Sequence, residues 1–216
     1  MSLKEYDKKR NFNSTREPKG EKKSSGQKLK FVVQRHKATN LHYDFRLELD
    51  DVLKSWAVPK GPSLNPRDKR LAMKVEDHPY DYKDFKGIIP EGNYGAGIVE
   101  IWDKGYYTAL PESKGDEQTK ILKSALKSGN LKFVLHGKKL KGEFALVKFK
   151  NDSSANKNAW LLIKHKDEYA VDTAYNSEDE TAANSPINKA LAKKKEKRSG
   201  NSETKKNSPQ LKKKET

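Results

Sequence analysis

The chain has 216 residues, of which 33% are hydrophobic and 35% are charged, so it has room for one domain of ordinary size but is too polar to be folded throughout. The absence of cysteine excludes a disulfide framework, a thiolate zinc site and a cysteine nucleophile. No apolar run approaches the roughly 20 residues of a membrane-spanning helix, and the N-terminus has no signal-peptide core, so we expect a cytoplasmic protein.

The formal net charge of +16 lies almost entirely at the two ends of the chain. Residues 1–30 hold ten Lys and Arg against four Asp and Glu, and residues 189–216 hold eleven against three. The 158 residues between them hold 25 against 23 and are nearly neutral. Basic ends on a neutral body indicate a polyanionic partner such as nucleic acid, because Lys and Arg gain affinity by displacing counterions from phosphates. The alternative is that such ends only keep the protein soluble.

The predicted elements begin after a basic N-terminal arm and linker at residues 1–30, of which residues 18–30 are rich in Lys, Gly and Ser. Residues 31–170 contain strand-like stretches that are bounded by Gly, Pro, Asn or Asp, as the turns of a sheet require. The predicted strands are 31–35, 41–49, 52–58, 71–75, 97–102, 131–136, 143–149 and 159–164. One amphipathic helix is predicted at residues 117–128, where Gly129 ends it.

Eight short strands with little helix predict a mainly β fold, a compact closed β-barrel of about eight strands with one or two flanking helices and disordered basic tails. A closed barrel would also leave no exposed sheet edge. Residues 171–216 alternate Asn, Ser, Thr, Glu and Lys, and we interpret them as a disordered Lys-rich tail because they cannot bury enough apolar surface. The domain itself is therefore assigned to residues 31–170.

The predicted strand at 41–49 alternates apolar and polar residues without interruption. Because residues two apart share a face of a strand, His42 and Asp44 project together, with Arg46 one step further along. His36 lies six residues before His42. Two imidazoles and a carboxylate are a suitable ligand set for a divalent transition metal with open positions for water and substrate. The alternative is that these side chains face solvent from a half-buried strand.

Basic residues near this strand are candidates for binding a phosphate. Arg46 and Arg70 offer planar forks for oxygen pairs, and Lys60 offers a point charge on a backbone that neighbouring prolines restrain. Each is alternatively an ordinary surface charge. His78 follows a predicted strand and could join the same site. The glycine-rich stretch at 89–97 is not a P-loop, and we interpret it as a tight structural loop that lines a pocket.

Two stretches of the sequence are similar to one known family. They are FVVQRHKATNLHYDFRLELDDVLKSWAVPKGPS at 31–63 and KRLAMKVEDHPYDYKDFKGIIPEGNYGAGIVEIWDKG at 69–105. Together with KLKGEFALVKF and AWLLIKHKDEYA further on, they closely resemble the 3′-phosphoesterase domain of bacterial DNA ligase D. The resemblance covers roughly residues 1–170. That family also occurs as a free-standing protein, which is the form we expect here.

The resemblance implies a β-barrel whose pocket holds Mn²⁺ or another divalent transition metal. It also implies trimming of DNA 3′ ends at primer-templates before ligation in non-homologous end joining, in a nucleoid-associated monomer. The family removes a 3′-terminal ribonucleoside, leaving a 3′-phosphate, and then removes that phosphate. By motif position, the implied metal ligands are His36, His42 and Asp44. The implied partners are DNA 3′ ends and a separate ligase, polymerase or Ku-type end-binding protein.

The resemblance also assigns residues around the reacting phosphate. By motif position these are Arg46, Lys60, Arg70, His78 and Tyr82. We expect His78 to donate a hydrogen bond to the phosphate or a proton to the leaving oxygen. We expect Tyr82 to orient the phosphate while water is the nucleophile.

The N-terminal arm carries further positions of the family's pattern. Arg10 and Glu17 match positions that are functional in the family and are expected to bind substrate. Asn11 stands where the family has Asp, so this position keeps its hydrogen-bonding shape and loses its charge.

Two other classes of protein remain as alternatives. A non-haem iron oxygenase binds iron through two His and one carboxylate on a β-barrel. The residues His42, Asp44 and His78 match this pattern. This interpretation leaves His36 without a role. A non-catalytic nucleic-acid-binding module would explain the basic ends. Iron-dependent oxygen consumption would identify the first, and binding without turnover the second.

Overall fold

The computed structural model describes residues 2–24, 26, 28–149 and 157–193. The chain divides into two units, residues 1–181 and residues 182–216. In the described part of the second unit, residues 186–193 are helical. The remainder of the predicted basic tail, from residue 194 onward, lies outside the described residues. Within the described ranges, every helix is too short or too polar to cross a membrane.

The first unit is built mainly from ten β-strands. They are β1 (Lys30–Lys37), β2 (Leu41–Leu49), β3 (Val52–Val58), β4 (Lys69–Lys74), β5 (His78–Pro79), β6 (Gly87–Ile89), β7 (Gly97–Ala109), β8 (Asn130–His136), β9 (Lys141–Lys148) and β10 (Ala159–Lys164). The helices are α1 (Leu3–Lys8), α2 (Gly115–Ser128) and a 3-10 helix (Tyr80–Asp84). Each predicted strand corresponds to an observed one, and the predicted helix corresponds to α2. The sequence did not predict α1, β5 or β6, because each is too short to show a period.

Eight of the strands close into an antiparallel barrel. Their order is β1-β2-β3-β4-β10-β9-β8-β7, and β7 pairs back onto β1. The register of that closing pair shifts between Val33 and Gln34, a β-bulge that bends the sheet as closure requires. Outside the ring, β5 pairs with β3, and β6 pairs with the first residues of β7. The predicted closed barrel is therefore confirmed.

The interior of the barrel is packed with aromatic and aliphatic side chains. From β2 the residues Tyr43, Phe45 and Leu47 belong to this core, and the ring of Phe45 lies 5.9 Å from that of Phe133. Because side chains alternate across a strand, the polar residues of β2 must point to the outer face of the barrel. The candidate metal ligands are thus on the outside of the barrel wall.

A second, smaller hydrophobic cluster covers this outer face. Its buried members are Tyr6, Leu53, Tyr82, Phe85, Ile89 and Val99. The N-terminal arm is part of it: the Tyr6 ring is fully buried, and its hydroxyl donates to the backbone oxygen of Pro18 at 2.6 Å. Burying such a side chain contributes about 2 kcal/mol. The arm, the 3-10 helix and β6 therefore turn the outer face of β1 and β2 into the floor of a pocket.

Residues 171–181 differ from the predicted disordered tail, because they belong to the first unit. The fully buried guanidinium of Arg35, on the interior face of β1, donates to the carboxylate of Glu178 at 2.9 and 2.5 Å. Nearby, the hydroxyl of Ser177 donates to the backbone oxygen of Pro62. The backbone oxygen of Ser177 accepts from the indole N–H of Trp102. Glu178 neutralises the buried charge of Arg35, and this contact holds the segment against the barrel. A prediction from composition considers only the burial of apolar surface and does not detect such a contact.

Candidate metal centre

The β1–β2 hairpin places three potential ligands together. His36 lies opposite His42 in the register, and Gln34 lies opposite Asp44, so all four side chains share the outer face. Nδ1 of His36 lies 3.5 Å from Oδ2 of Asp44, and Nε2 of His42 lies 3.7 Å from Oδ1. The ligand atoms of the two imidazoles and the carboxylate all lie within 4.8 Å of one another.

Backbone oxygens determine which ring nitrogen of each histidine faces the carboxylate. Nε2 of His36 donates to the oxygen of Gly95 at 2.9 Å, and Nδ1 of His42 donates to the oxygen of Asn40 at 3.0 Å. A neutral imidazole has one donor and one acceptor nitrogen, so the lone pairs of both rings point toward Asp44. This is how metal-bound histidines are commonly oriented, and these residues fit a divalent transition metal.

The carboxylate of this group stays ionised. Burial by itself would raise the pKa of Asp44, whereas the positive charge of the Arg46 guanidinium is the largest of the causes that lower it. The pKa therefore lies well below its usual range. An ionised carboxylate is the form that can bind a cation.

Arg46 has one nitrogen free for a ligand. Its Nε donates to Oε1 of Gln34 at 2.7 Å and its Nη2 to Oδ2 of Asp44 at 3.0 Å, while the group lies 4.8 Å above the ring of Tyr82. Nη1 is buried and has no hydrogen-bond partner among the described residues. The side chain lines a pocket of about 190 Å³ together with the three candidate ligands. A buried, fixed guanidinium donor without a partner is suited to binding an anion, because leaving it unpaired costs free energy.

His78 lines the same pocket as a neutral ring without a free N–H. Its Nδ1 donates to the backbone oxygen of Glu76 at 2.9 Å, and its Nε2 accepts from Nη2 of Arg10 at 3.3 Å. Burial lowers the pKa of His78 well below its usual value, and the charges of Arg46 and Arg10 lower it further. This arrangement does not support the hypothesis that His78 protonates the leaving oxygen. It indicates that the ring holds Arg10 in place.

The neutral state of His78 makes stability depend on pH. Since its pKa is ordinary in the unfolded chain and depressed in the folded chain, the unfolded state binds more protons below about pH 6.5. We expect the free energy of unfolding to fall there by up to about 1.4 kcal/mol per pH unit more in the wild type than in His78→Asn. Urea unfolding at pH 7.5, 6.5 and 5.5 measures this difference, and parallel curves would contradict it.

Glu17 lies behind the pocket and holds two residues that line it. Its Oε1 accepts from Nε of Arg10 at 2.8 Å and from the hydroxyl of Tyr82 at 2.9 Å. Burial raises the pKa of Tyr82 well above its usual value, so the phenol keeps its proton. The family resemblance predicts that Glu17 binds substrate, whereas in the structure its carboxylate positions Arg10 and Tyr82. Arg10 itself lines the pocket and stacks on the ring of Tyr6 at 3.6 Å.

Replacing Glu17 with glutamine is expected to lower the free energy of unfolding by about 2 kcal/mol, because the buried Arg10 guanidinium would lose the nearer of its two carboxylate partners and keep only Glu76 at 3.4 Å. Urea unfolding monitored by circular dichroism measures the change. Glu21→Gln is the matched control, since the side chain of Glu21 is 69% exposed and pairs only loosely with Lys23 at 3.7 Å. An equal decrease in the free energy of unfolding in both variants would show that the buried Arg10–Glu17 pair does not contribute more to stability than an exposed carboxylate does.

Lys60 and Arg70 are not brought into this pocket. They line a separate depression with Tyr175 and Asn176, which shares no residue with the pocket of the candidate ligands. Nη2 of Arg70 donates to Asp68 at 2.8 Å and to the backbone oxygen of Tyr175 at 2.7 Å. The prediction that both residues surround the same phosphate as Arg46 therefore differs from the structure. Lys60 lies in the turn after β3 and Arg70 lies on β4, and both side chains face this separate depression.

Several residues of the site were not identified from the sequence. Gln34 orients Arg46, Glu76 accepts from Lys9 at 3.0 Å and from Arg10 at 3.4 Å, and Tyr94 lies at the mouth of the pocket. Gln34 could have been found from the register of the β1–β2 hairpin, but the other two depend on how the arm folds over the barrel. The side chain of Asn11 is exposed, its Oδ1 accepts from the backbone N–H of Asn13 at 3.2 Å, and Asn11 is not among the residues that line the pocket.

Comparison with known families agrees with this site. Residues 34–148 match the family model of the DNA ligase D 3′-phosphoesterase domain, which is more than half of the chain. The chain belongs to the DNA ligase D 3′-phosphoesterase domain family. The resemblance found in the sequence is thereby confirmed, and a phosphoesterase domain is a hydrolase. The matched residues include all three candidate ligands and Arg46, whereas Arg10 and Glu17 precede them.

Curated relatives in three bacteria share this domain. The chain is 49% identical over 167 residues to the multifunctional non-homologous end joining protein LigD of Pseudomonas aeruginosa, covering 76% of this chain and 19% of that protein. It is 40% identical over 148 residues to the protein of the same name in Mycolicibacterium smegmatis, covering 67% and 18%. A Mycobacterium tuberculosis relative is 41% identical over 138 residues, covering 64% and 16%. The chain thus spans about a fifth of the length of these relatives.

Proposed function

We propose that this chain is a metal-dependent phosphoesterase that heals DNA 3′ ends in non-homologous end joining. It removes a 3′-terminal ribonucleoside as a phosphodiesterase and a 3′-phosphate as a phosphatase. The observation that carries this proposal is the meeting of two features in one pocket. These are the ligand set of His36, His42 and Asp44 and the unpaired Nη1 of Arg46.

The residues of the pocket have separate roles in this proposal. Mn²⁺ or a similar cation held by the three ligands would neutralise phosphate charge and lower the pKa of a bound water. Arg46 donates from Nη1 to a nonbridging oxygen and stabilises the charge that grows as water attacks phosphorus. Tyr82 cannot act as the nucleophile, because its phenol is protonated and donates to Glu17.

Lys60 and Arg70 are proposed to contact the DNA strand beside the reacting phosphate. Their depression has an exposed Lys60 and a partly buried Arg70 whose Nε has no hydrogen-bond partner among the described residues. Cations in this position neutralise backbone phosphates and hold the strand in register. The pair would then affect binding more than the chemical step.

The biological setting follows from the proposed substrate. The relatives are multifunctional end joining proteins by name, which supports DNA ends as substrate and a ligase, a polymerase or a Ku-type end-binding protein as functional partners. A monomeric state and a cytoplasmic location at the nucleoid remain expectations.

A primer-template that ends in a 3′-phosphate or in a single 3′-ribonucleotide tests the proposal directly. We expect loss of either end group with Mn²⁺ and none with a chelator. Binding of the duplex without turnover in Mn²⁺, Mg²⁺ or Co²⁺ would favour the non-catalytic binding module. Oxygen consumption that requires Fe²⁺ would favour the oxygenase. Comparing the two substrates also shows which of the two reactions this chain performs faster.

A further inference from the structure

The loop between β6 and β7 presents an aromatic ring at the mouth of the pocket. Tyr94 is 51% exposed, yet it lines the same cavity as the candidate ligands. The glycine-rich pattern at 89–97 predicted a tight structural loop that lines a pocket, without a role for Tyr94. Single exposed aromatic rings are common on protein surfaces. The ring of Tyr94 differs from these because it lies at the pocket of the candidate ligands.

The loop that carries this ring is fixed to the site. The backbone oxygen of Gly95, the next residue, accepts from Nε2 of His36. Tyr94 is therefore adjacent in sequence to the residue that orients the candidate metal ligand His36. Oδ1 of Asn93, the preceding residue, accepts from the hydroxyl of Ser14 in the arm at 2.9 Å. Gly97 ends the loop at a φ of 152°, where a Cβ would collide with the backbone oxygen of Lys37. The backbone on either side of Tyr94 is therefore held at a defined place relative to the pocket.

Cations lie close to the ring of Tyr94. Nζ of Lys9 lies 4.5 Å from its centroid, and the guanidinium of Arg10 lies 5.8 Å away. Lys9 is in turn held by Glu76 at 3.0 Å. Half of the side-chain surface nevertheless remains open to solvent. A fixed aromatic ring with an open surface beside basic residues is a platform on which nucleic acid bases stack.

The size of the pocket decides which part of a substrate meets this platform. Its volume of about 190 Å³ is well below the roughly 300 Å³ at which pockets begin to enclose small ligands. We expect the phosphate group to occupy the space beside Arg46 and the candidate ligands. The base of the same nucleotide would then lie outside this space, on the side where Tyr94 is exposed.

We propose that Tyr94 stacks on the base of the nucleoside whose 3′-oxygen is bonded to the reacting phosphate. The proposal rests on the proposed function, since it takes a DNA 3′ end as the substrate. That nucleoside is common to the phosphodiesterase and phosphatase steps. The stack would position the end for both reactions without reading its sequence, because every base has an aromatic face.

A cycle of two changes tests the stack, one in the protein and one in the DNA. The protein is the wild type or Tyr94→Leu, and the primer ends in a 3′-phosphate on either a normal nucleotide or an abasic residue. Both Kd, from fluorescence anisotropy with Mn²⁺, and KM are measured. We expect Tyr94→Leu to raise Kd and KM about tenfold with the base present and to change them little with the base removed. The value of kcat should stay the same.

Two further variants complete the test. Tyr94→Phe keeps the ring and should behave like the wild type. Ile88→Ala is the matched control, because Ile88 is 68% exposed on the adjacent β6 but does not line the pocket. If Tyr94→Leu raises Kd and KM equally for the primer with the base and for the abasic primer, or raises them for neither, the proposed stacking is wrong. If the wild type binds without turnover, the proposed function fails while the binding cycle still tests the stack.

Discussion

Replacing His42 with alanine is expected to abolish both the proposed phosphatase and the proposed ribonucleoside-removing activity, with a rate loss of at least about 10³-fold. Its Nε2 faces Asp44 at 3.7 Å, and losing one of the three proposed ligands would remove the several kcal/mol that a bound metal contributes to stabilising charge in the transition state. The fold should stay intact, because the side chain of His42 is 22% exposed and lies outside both hydrophobic clusters. The rate on a 3′-phosphorylated primer-template measures the effect.

His136→Ala is the matched control for this prediction, since it removes an exposed imidazole that stacks on Tyr106 outside the pocket. Calorimetric titration with Mn²⁺ supplies a readout that does not depend on turnover, and we expect the affinity to fall for His42→Ala only. Unchanged Mn²⁺ affinity together with a full rate would remove His42 from the ligand set. Asp44→Ala should lose the same activities, but it also deprives Arg46 of its partner and is less easily interpreted.

Arg46→Lys is expected to lower kcat by about 10²- to 10³-fold, which is the usual cost of removing one donor that stabilises transition-state charge. The guanidinium spans Gln34, Asp44 and the open side of the pocket at once, with Nε, Nη2 and Nη1. A lysine ammonium is a point charge and cannot reach all three positions. Single-turnover rates at saturating DNA separate this loss from weaker binding.

Arg46→Lys should also destabilise the protein, by about 1–3 kcal/mol, because the buried amide oxygen of Gln34 loses its donor. Arg67→Lys is the matched control, since Arg67 is exposed and lies outside the pocket. A normal rate in a less stable Arg46→Lys protein would mean that Arg46 only supports the fold. A slow rate in both variants would point to a general loss of basic charge.

The sequence predicted the centre of the site because one strand contains it. A period of two places His42, Asp44 and Arg46 on one face without any knowledge of the rest of the fold. His36 joins them only through the register of the hairpin, in which it lies opposite His42. Residues close in sequence and regular in period are therefore the ones that pattern analysis finds.

Predictions for residues distant in sequence were less accurate, because nothing in a linear pattern states where a turn directs a side chain. Lys60 and Arg70 fit a phosphate site by chemistry, yet they line a different depression. Glu17 fits a substrate contact, yet it lies behind Arg10 and Tyr82. Chemical type alone does not separate a residue that touches a ligand from one that positions its neighbour.

The sequence by itself determined the class of fold, the strands of the barrel and the grouping of His42, Asp44 and Arg46 on one face of β2. These features depend on local period and turn residues, which the chain carries in contiguous stretches. Only the tertiary structure decided that the site lies on the outer wall of the barrel, beneath the N-terminal arm. It also decided that residues 171–181 are ordered through Arg35 and Glu178. Both outcomes depend on burying charged groups against segments far away in sequence, where the partner is known only once the chain has folded.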